Sequence, residues 1–575
     1  MSKIKSLNTL FCGVVLVLIL LAGCGLPGVE RFSLTILINE EDGGSIHVNP
    51  DGDTFAKGTE VKLTAVSAEG WNFDKWQGDA EGKDNQITLT MDGDKVVTAI
   101  FEINTDETTG FAGGVGTEAD PYLVGTGEQL DNVRNHLNKH FKQIANIDLI
   151  GYSSGTGWEP IGEEGDGYEF WGKYNGNGFK IRNLFINQPQ GMDIGLFGII
   201  ANGSNLIDIS LENVDITGQT YVGGLVGLNL QGFISGCSVE GTVKGQYSVG
   251  GLVGRNEGDI IGSYAIAEVF GEERYVGGLV GDNWGEVKNC YSQGIVSGPN
   301  VHVMGGLVGR NKDGEIIDGF STAEVSGYDG VGGLVGRNSG GLITGSFSTG
   351  NVLVEHVEAG GLVGWNNGGE ISKCYSTGDV NGDGWNYLGG FAGYNDGKII
   401  KSFASGSVTG GVGGMIGDNN LGGFVGSNVG EIMDCFATGD VTGDINQGSN
   451  VGGFSGNNMI NGEITNCYSI GKVTGEGHLG GFVGNNLGIV TFSYWDIEES
   501  EIEISESGKG RTTPQMQRGT PGVFVNPDGT VDIGENPDNL IYDQWEDSIW
   551  DFGTKEEYPR LQWQDQYNGI VLKEG

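Results

Sequence analysis

Few residues of this chain have the types and spacing that chemistry needs. His136 and His140 stand four apart, the spacing that zinc peptidases use on a helix, but Leu137 occupies the place of the catalytic Glu. The pair therefore reads as a solvated helix face. Hydrolysis of a pectin-like polysaccharide would ask for clustered acids with a Gly-His-Gly and an Arg-x-Lys element, and only Asn104-Thr105-Asp106 comes near. A lyase would need a Lys or Arg base beside acids. Its candidates, Arg255, Arg310 and Arg337, each lie between a Gly and an Asn at a variable position, which reads as solvent exposure. Cys237, Cys290, Cys374, Cys435 and Cys467 have no zinc-finger spacing. Neither a catalytic residue, a metal ligand nor a cofactor is assigned on these grounds.

The elements that must position any site follow from a repeat. Between residues 222 and 486 a small or apolar residue is followed ten times by Gly-Gly, two mostly apolar residues, Gly, any residue and Asn. The pairs begin at Gly223, Gly250, Gly277, Gly305, Gly332, Gly360, Gly389, Gly422, Gly452 and Gly480, so the period is about 28 residues, as in a stacked array. A second phrase runs in phase, with a small residue (Ser210, Cys237, Ser263, Cys290, Gly319, Ser346, Cys374, Ser402, Cys435, Cys467, Ser493) before a file of aromatics from Tyr264 to Tyr494. Size is what the small position selects. Val, Ile and aromatics in short runs broken by Gly favour strands over helices. Three strands and three bends close one coil, and coils stack about 4.8 Å apart. The expected fold is all-β, a right-handed parallel β-helix of about 11–12 coils with a small N-terminal all-β module.

The closing Asn of each phrase, Asn229 to Asn486, suits a recurring bend, since Asn tolerates a left-handed backbone and can bond to its copy in the next coil. The aromatic file reads as core, the alternative being an outward platform for sugar rings. Two coils place most of the cysteines roughly 10 Å apart, beyond disulfide reach, and Cys435 and Cys467, in adjacent coils, are near enough in distance but in poor geometry, so free buried thiols are expected.

With these residues in view the repeats resemble the GLUG motif of bacterial surface proteins, over roughly residues 110–500. The lead-in, Gly113-Gly114-Val115-Gly116 to Tyr122 and then Phe170-Trp171-Gly172, is similar to segments that introduce such arrays. The resemblance implies architecture far more than activity, since the motif occurs beside peptidase domains in some immunoglobulin A peptidases and alone elsewhere. Thr126 and Gln129 have capping-box spacing, and Leu130, Val133, Leu137, Phe141 and Ile144 make an apolar helical face, which predicts a capping helix over the open coil end. A Trp-rich tail after Asp496 reads as the opposite closure.

At the N-terminus, Lys3 and Lys5 precede an apolar run, and Leu21-Ala22-Gly23-Cys24 resembles the lipobox of bacterial lipoprotein signal peptides. The resemblance implies cleavage before Cys24, lipid on its thiol, and an exported lipoprotein held at a cell membrane or outer membrane, facing outside the cytoplasm. Residues 59–65, 70–76 and 96–101 resemble a divergent internalin-type B-repeat, in which Trp71, Phe73, Trp76 and Phe101 are expected to form the module's own core. The domain reading is 1–23 signal peptide, 24–30 tether, 31–103 B-repeat-like module, 104–190 lead-in with capping helix and first coils, 191–496 GLUG-repeat β-helix, and 497–575 C-terminal closure.

Net charge is −44, and removal of residues 1–23 takes away two Lys and no acids, leaving −46. Such a surface repels nucleic acid. The expected partners are the membrane, through the lipid, and a glycan or another surface protein. The 33-residue spacing before Gly422 marks an insertion, and insertions on solenoids often sit on the working face, so residues 409–420, with Gly413, Asp418 and Asn419, form the site hypothesis. The expected function is a non-enzymatic, ligand-presenting surface solenoid. The alternative is a polysaccharide lyase or glycoside hydrolase, which would gather acids and a base at one level of the stack.

Overall fold

The computed structural model describes residues 29–564 apart from 166, 384–386, 411–418, 444–448, 519–520, 522, 533, 535, 537–538 and 554–556. The signal segment and Cys24 lie outside the described residues. Two compact units divide the chain at Ile103/Asn104.

The first unit pairs Arg31–Ile38 with Lys95–Ile103, flanked by Thr54–Ala56 and Trp71–Gly78, and sets beside it a three-stranded sheet of Gly44–Asn49, Glu60–Ser67 and Gln86–Thr90. Alternating residues of Glu60–Ser67 point inward, and Val61, Leu63 and Ala65 are buried. Trp71, Trp76 and Phe101 are buried and Phe73 packs on the last two, so these aromatics fill the module's core.

The second unit is a β-solenoid whose coils carry three faces. Among the described residues the first face has 11 strands, from Phe197–Ile200 to Val483–Asn486, so the solenoid makes about 11 turns. The second has 14, from Tyr122–Val124 to Ile489–Thr491. The third runs as one long strand per coil in Ser238–Gly250, Tyr264–Gly277 and Tyr291–Gly305, and is divided into shorter strands in later coils. Among the described residues the strands of neighbouring coils pair in parallel and keep repeat phase, as in Asn311↔Asn338 and Ile316↔Ile343, with isolated antiparallel bridges such as Lys312↔Gly340 at the bends. The interior is a continuous column of Val, Ile and Leu, joined at its C-terminal end by stacked Phe391, Phe424, Phe454 and Phe482.

The Gly-Gly-x-x-Gly phrase is a demand for close backbone approach. A Cβ on Gly332 would sit 2.0 Å from the Val335 carbonyl oxygen, one on Gly333 would sit 2.1 Å from that of Gly361, and one on Gly336 would sit 2.6 Å from the Met304 nitrogen. Each repeat Asn is held by a ladder. Asn311 Nδ2 donates to Asn338 Oδ1 at 3.0 Å and Asn338 Nδ2 to Asn366 Oδ1 at 3.0 Å, while Asn338 Nδ2 also donates to the Gly341 carbonyl in its own turn. The left-handed positions lie elsewhere, immediately before the small residue, as at Asp318, Lys373, Lys401 and Asp434. Asn is thus selected for amide stacking, not for its backbone.

The small position also selects more than size. Ser346 and Ser402 hydroxyls donate to the carbonyl two residues back at 2.9 Å, and the Cys374 and Cys435 thiols do the same at 3.2 Å. Ser210 falls one place out of this file, pairing with Ser238. The five solenoid cysteines are free and buried, and burial pushes the thiols of Cys237, Cys290 and Cys374 up to about 12.

The capping helix is shorter than expected. Thr126 caps Gly127–Asp131 by accepting from the Gln129 N–H, a single 3-10 turn follows, and His140–Gln143 is already a strand of the second face. Phe141 therefore enters the core from a strand, because an open sheet edge offers hydrogen bonds that a three- and four-residue periodicity does not reveal. Phe111, Tyr122, Phe141, Phe170 and Trp158 plug this end.

The aromatic file is not interior. Tyr264, Tyr291, Phe320, Phe347, Tyr375, Phe403, Phe436 and Tyr468 stack ring on ring outside the coil core, with neighbouring centroids 4.7–5.0 Å apart and planes within 2–6°. The tail folds back over it. Trp545 donates to the Phe492 carbonyl at 2.8 Å, Tyr468 donates to the Pro559 carbonyl at 2.6 Å, and Trp563 donates to the Lys401 carbonyl at 2.9 Å. Trp545, Trp550, Tyr542, Met516, Leu561 and Trp563 close a second core against Phe436, Tyr468 and Tyr494.

Candidate functional site

The residues singled out from sequence do not assemble into one site. His136 lies edge-on to Phe111 and Tyr122 at 5.3 and 5.5 Å, and His140 begins a strand, so they share no helix face. Gly413 and Asp418 lie outside the described residues, and Asn419 is buried at 2% exposure. The stacked aromatics cannot serve as a sugar platform, because each ring covers its neighbour's π-face and leaves only edges to solvent.

A different constellation forms at the corner where the third face meets the first. The side chain two residues before each Gly-Gly pair meets the side chain five residues after the pair's first Gly, on this or a neighbouring coil. The first file holds Asp193, Tyr221, Ser248, Tyr275 and Val303 in a left-handed backbone with φ between 51 and 78°. The second file runs in register from Arg255 through Asp282, Arg310, Arg337 and Trp365 to Tyr394.

Along this seam the arginines are half-buried among aromatics, which corrects the expectation of simple solvent exposure. Arg310 grips Asp282 with Nε and Nη2 at 2.8 and 2.7 Å, donates to the Tyr275 hydroxyl at 2.9 Å, and lies 4.0 Å from the Tyr275 ring centroid. Arg255 sits 4.8 Å over Trp284 and pairs with Glu257 at 2.6 Å. Lys312 approaches the same indole at 4.4 Å. Arg337 lies 4.0 Å over Trp365, and among the described residues it has no ion-pair partner. The Nε of Arg337, the indole Nε1 of Trp365 and the Nδ1 of His356 are buried with no hydrogen-bond partner. The flat rings hold guanidinium planes in place, the arrangement best suited to bidentate recognition of a planar anion.

Next to Arg337 lies an acid pair. Asp329 and Glu358, on adjacent coils, share a hydrogen bond, and His302 Nδ1 is 3.3 Å from Asp329 Oδ2. Burial, and then Asp329, push Glu358 up to about 8. Burial opposes the ionisation of Asp329, but its hydrogen bonds with Glu358 and His302 win and hold its carboxyl below the ordinary range. Tyr328 stacks on His356 at 4.8 Å and closes the group. Toward the C-terminus the seam turns to amides, with Asn420 donating to Ser427 at 3.0 Å and Asn450 to Asn420 at 2.7 Å. Asn420 belongs to the stretch 409–420 that the long spacing marked as an insertion, of which residues 411–418 lie outside the described residues.

Sequence alone did not single out Asp329, Glu358, His302 or Trp365. The usable signal was that these positions change chemistry from coil to coil while the Gly, Leu and Asn beside them do not.

The divergent InlB B-repeat domain matches residues 34–105, and the GLUG motif matches residues 218–244, 245–269, 357–381, 417–442 and 447–474. A Gly-rich membrane protein of Evansella cellulosilytica is 42% identical over 153 residues, 25% of this chain and 17% of that protein. Halomucin of Haloquadratum walsbyi is 32% identical over 164 residues, 27% of this chain and 2% of that protein. The chain thus spans less than a fifth of the length of the curated relatives it matches. A crystal structure assigned to an immunoglobulin A1 protease of Bacteroides ovatus aligns with 79% of this chain and 95% of that one, at 16% identity and a TM-score of 0.27. A second structure, titled IgA1 protease, aligns with 72% of this chain and 29% of that one, at 12% identity and a TM-score of 0.23. The chain thus carries five GLUG motifs and, on their N-terminal side, a divergent InlB B-repeat domain.

Proposed function

We propose that the protein is an exported surface β-solenoid, tethered through lipid on Cys24, that binds a glycan or another surface protein without cleaving it. The observation that carries this reading is the seam, whose polar and aromatic side chains run from coil to coil between Tyr221 and His478 and so spread contacts along a ligand. Names among the relatives, a Gly-rich membrane protein and halomucin, fit a surface role. A glycan array probed with the protein lacking residues 1–24, with calcium and with chelator, tests it. Retention with no new reducing or unsaturated ends is the expected result.

A second reading, polysaccharide cleavage, is favoured by one observation. Asp329, Glu358, His302 and Arg337 gather within three successive coils, with one carboxyl held toward its protonated form by burial and its neighbour ionised. Product formation that Asp329→Asn and Glu358→Gln both abolish would establish that reading and sink the first.

A further inference from the structure

We propose that the seam between the third and first faces binds an acidic polysaccharide, a chain bearing carboxylate groups, with Arg337 as the principal anion-binding residue and Arg310, Arg255 and Lys312 beside it. This inference rests on the binding reading above and names its ligand class.

Arg310 and Arg337 are register partners in adjacent coils, about 4.8 Å apart along the stack. Like charges directly opposite each other are destabilising. The Asp282 carboxylate beside Arg310 has both oxygens engaged by that arginine. Arg337 is thus left as a spare guanidinium, fixed in plane by Trp365, with a buried Nε that has no acceptor. Its acidic neighbour Glu358 is held toward the protonated form by burial and by Asp329, so it does not neutralise the arginine. Arg310 and Arg255 are already paired, with Asp282 and Glu257, so the unpaired positive charge of the seam is centred on Arg337, on a chain whose net charge is −44.

The geometry favours a sparse polyanion over nucleic acid. Arg255 stands two coils from Arg310, about 9.6 Å along the axis, and Arg337 one coil, about 4.8 Å, whereas each strand of a nucleic acid duplex carries a phosphate about every 3.4 Å of its axis. The acidic remainder of the surface would repel the denser polymer more strongly. Carboxylates also match the planar fork of the guanidinium for two parallel hydrogen bonds.

Polygalacturonate, alginate, neutral dextran and a single-stranded oligonucleotide are the probes, titrated calorimetrically against the protein lacking residues 1–24 at two salt concentrations. The expected result is salt-sensitive binding of the uronates alone, weakened about tenfold or more by Arg337→Ala and less by Arg337→Lys. An unchanged far-ultraviolet β-signal and thermal midpoint show that each variant is folded. Uronate binding unaffected by Arg337→Ala and by Arg310→Ala would overturn the seam assignment while leaving a surface-binding role intact. Equal binding of the oligonucleotide would overturn the ligand class. Binding of dextran in place of uronate would do the same and keep the glycan reading, and no binding to any carbohydrate on the wider array would remove that reading too.

Discussion

At the scale of single residues, the repeat positions are occupied for hydrogen-bonding reasons as much as for size. Asn338 is fully buried and both ends of its amide are engaged by the next and previous coils. Asn338→Ala removes the acceptor of Asn311 and the donor to Asn366, leaving buried polar atoms unpaired. A loss of about 2–3 kcal/mol is expected, read as a lower denaturation midpoint. Glu358 gives a prediction with a definite sign. In the unfolded chain its carboxyl ionises near the ordinary value of 4.5, and in the fold near about 8. Between those values the folded state holds the extra proton, so stability falls as pH rises through that window. Asp329, whose carboxyl is depressed, contributes stability above its unfolded value of 3.8 that is lost as pH falls through its still lower folded value, outside that window. Glu358→Gln should flatten the decline, by up to about 3–4 kcal/mol between pH 5 and 8.5, in thermal midpoints measured at both ends. An equal slope in both proteins would show that the acid pair is not formed.

At the scale of elements, the coil corner and the tail carry the fold's specificity. The Gly-Gly pair is where one coil's backbone touches the next. Gly333→Ala forces a Cβ to 2.1 Å from a carbonyl oxygen, whereas Gly151→Ala meets nothing within 4 Å. The first is expected to cost about 2–4 kcal/mol and the second less than about 0.5 kcal/mol, in parallel denaturant titrations. The tail is an element in its own right, since its aromatics form a core separate from the coil interior. Trp550 stacks 4.4 Å from Trp545 and packs on Phe436 and Tyr468. Trp550→Ala should cost about 3–5 kcal/mol of local stability and speed proteolysis after residue 512, leaving the coils protected. Simultaneous loss of both would mean that the tail is integral to the whole stack.

For the whole molecule, a stack of about 11 turns with one polar seam is a scaffold that offers many small contacts instead of one deep site. Extended ligands suit such a surface, because each coil adds a contact at fixed spacing. Tethering is the other whole-molecule property. Palmitate labelling in a bacterial host is expected for the native chain and absent for Cys24→Ala. Labelling that persists in the variant would remove the lipid anchor from the proposed function.

Much of this was legible in the sequence. A phrase repeated in phase puts every repeat position into one file of a parallel stack, so the Gly-Gly corners, the Asn ladder, the free thiols and the all-β class follow from spacing and residue type. The B-repeat aromatics are core for an equally local reason, a small module with no other apolar mass. Spacing does not say which side of a short strand faces inward, nor how a coil bends, because both depend on pairing with neighbouring coils. Only the tertiary structure therefore placed the aromatic file outside and folded the tail across it. It also ended the cap helix after Asp131, where a sheet edge outcompetes further helix. The seam is decided in the same way. Arg337 meets Trp365, and Asp329 meets Glu358, across coils 28 and 29 residues long, and only stacked backbones turn such distances along the chain into contacts in space.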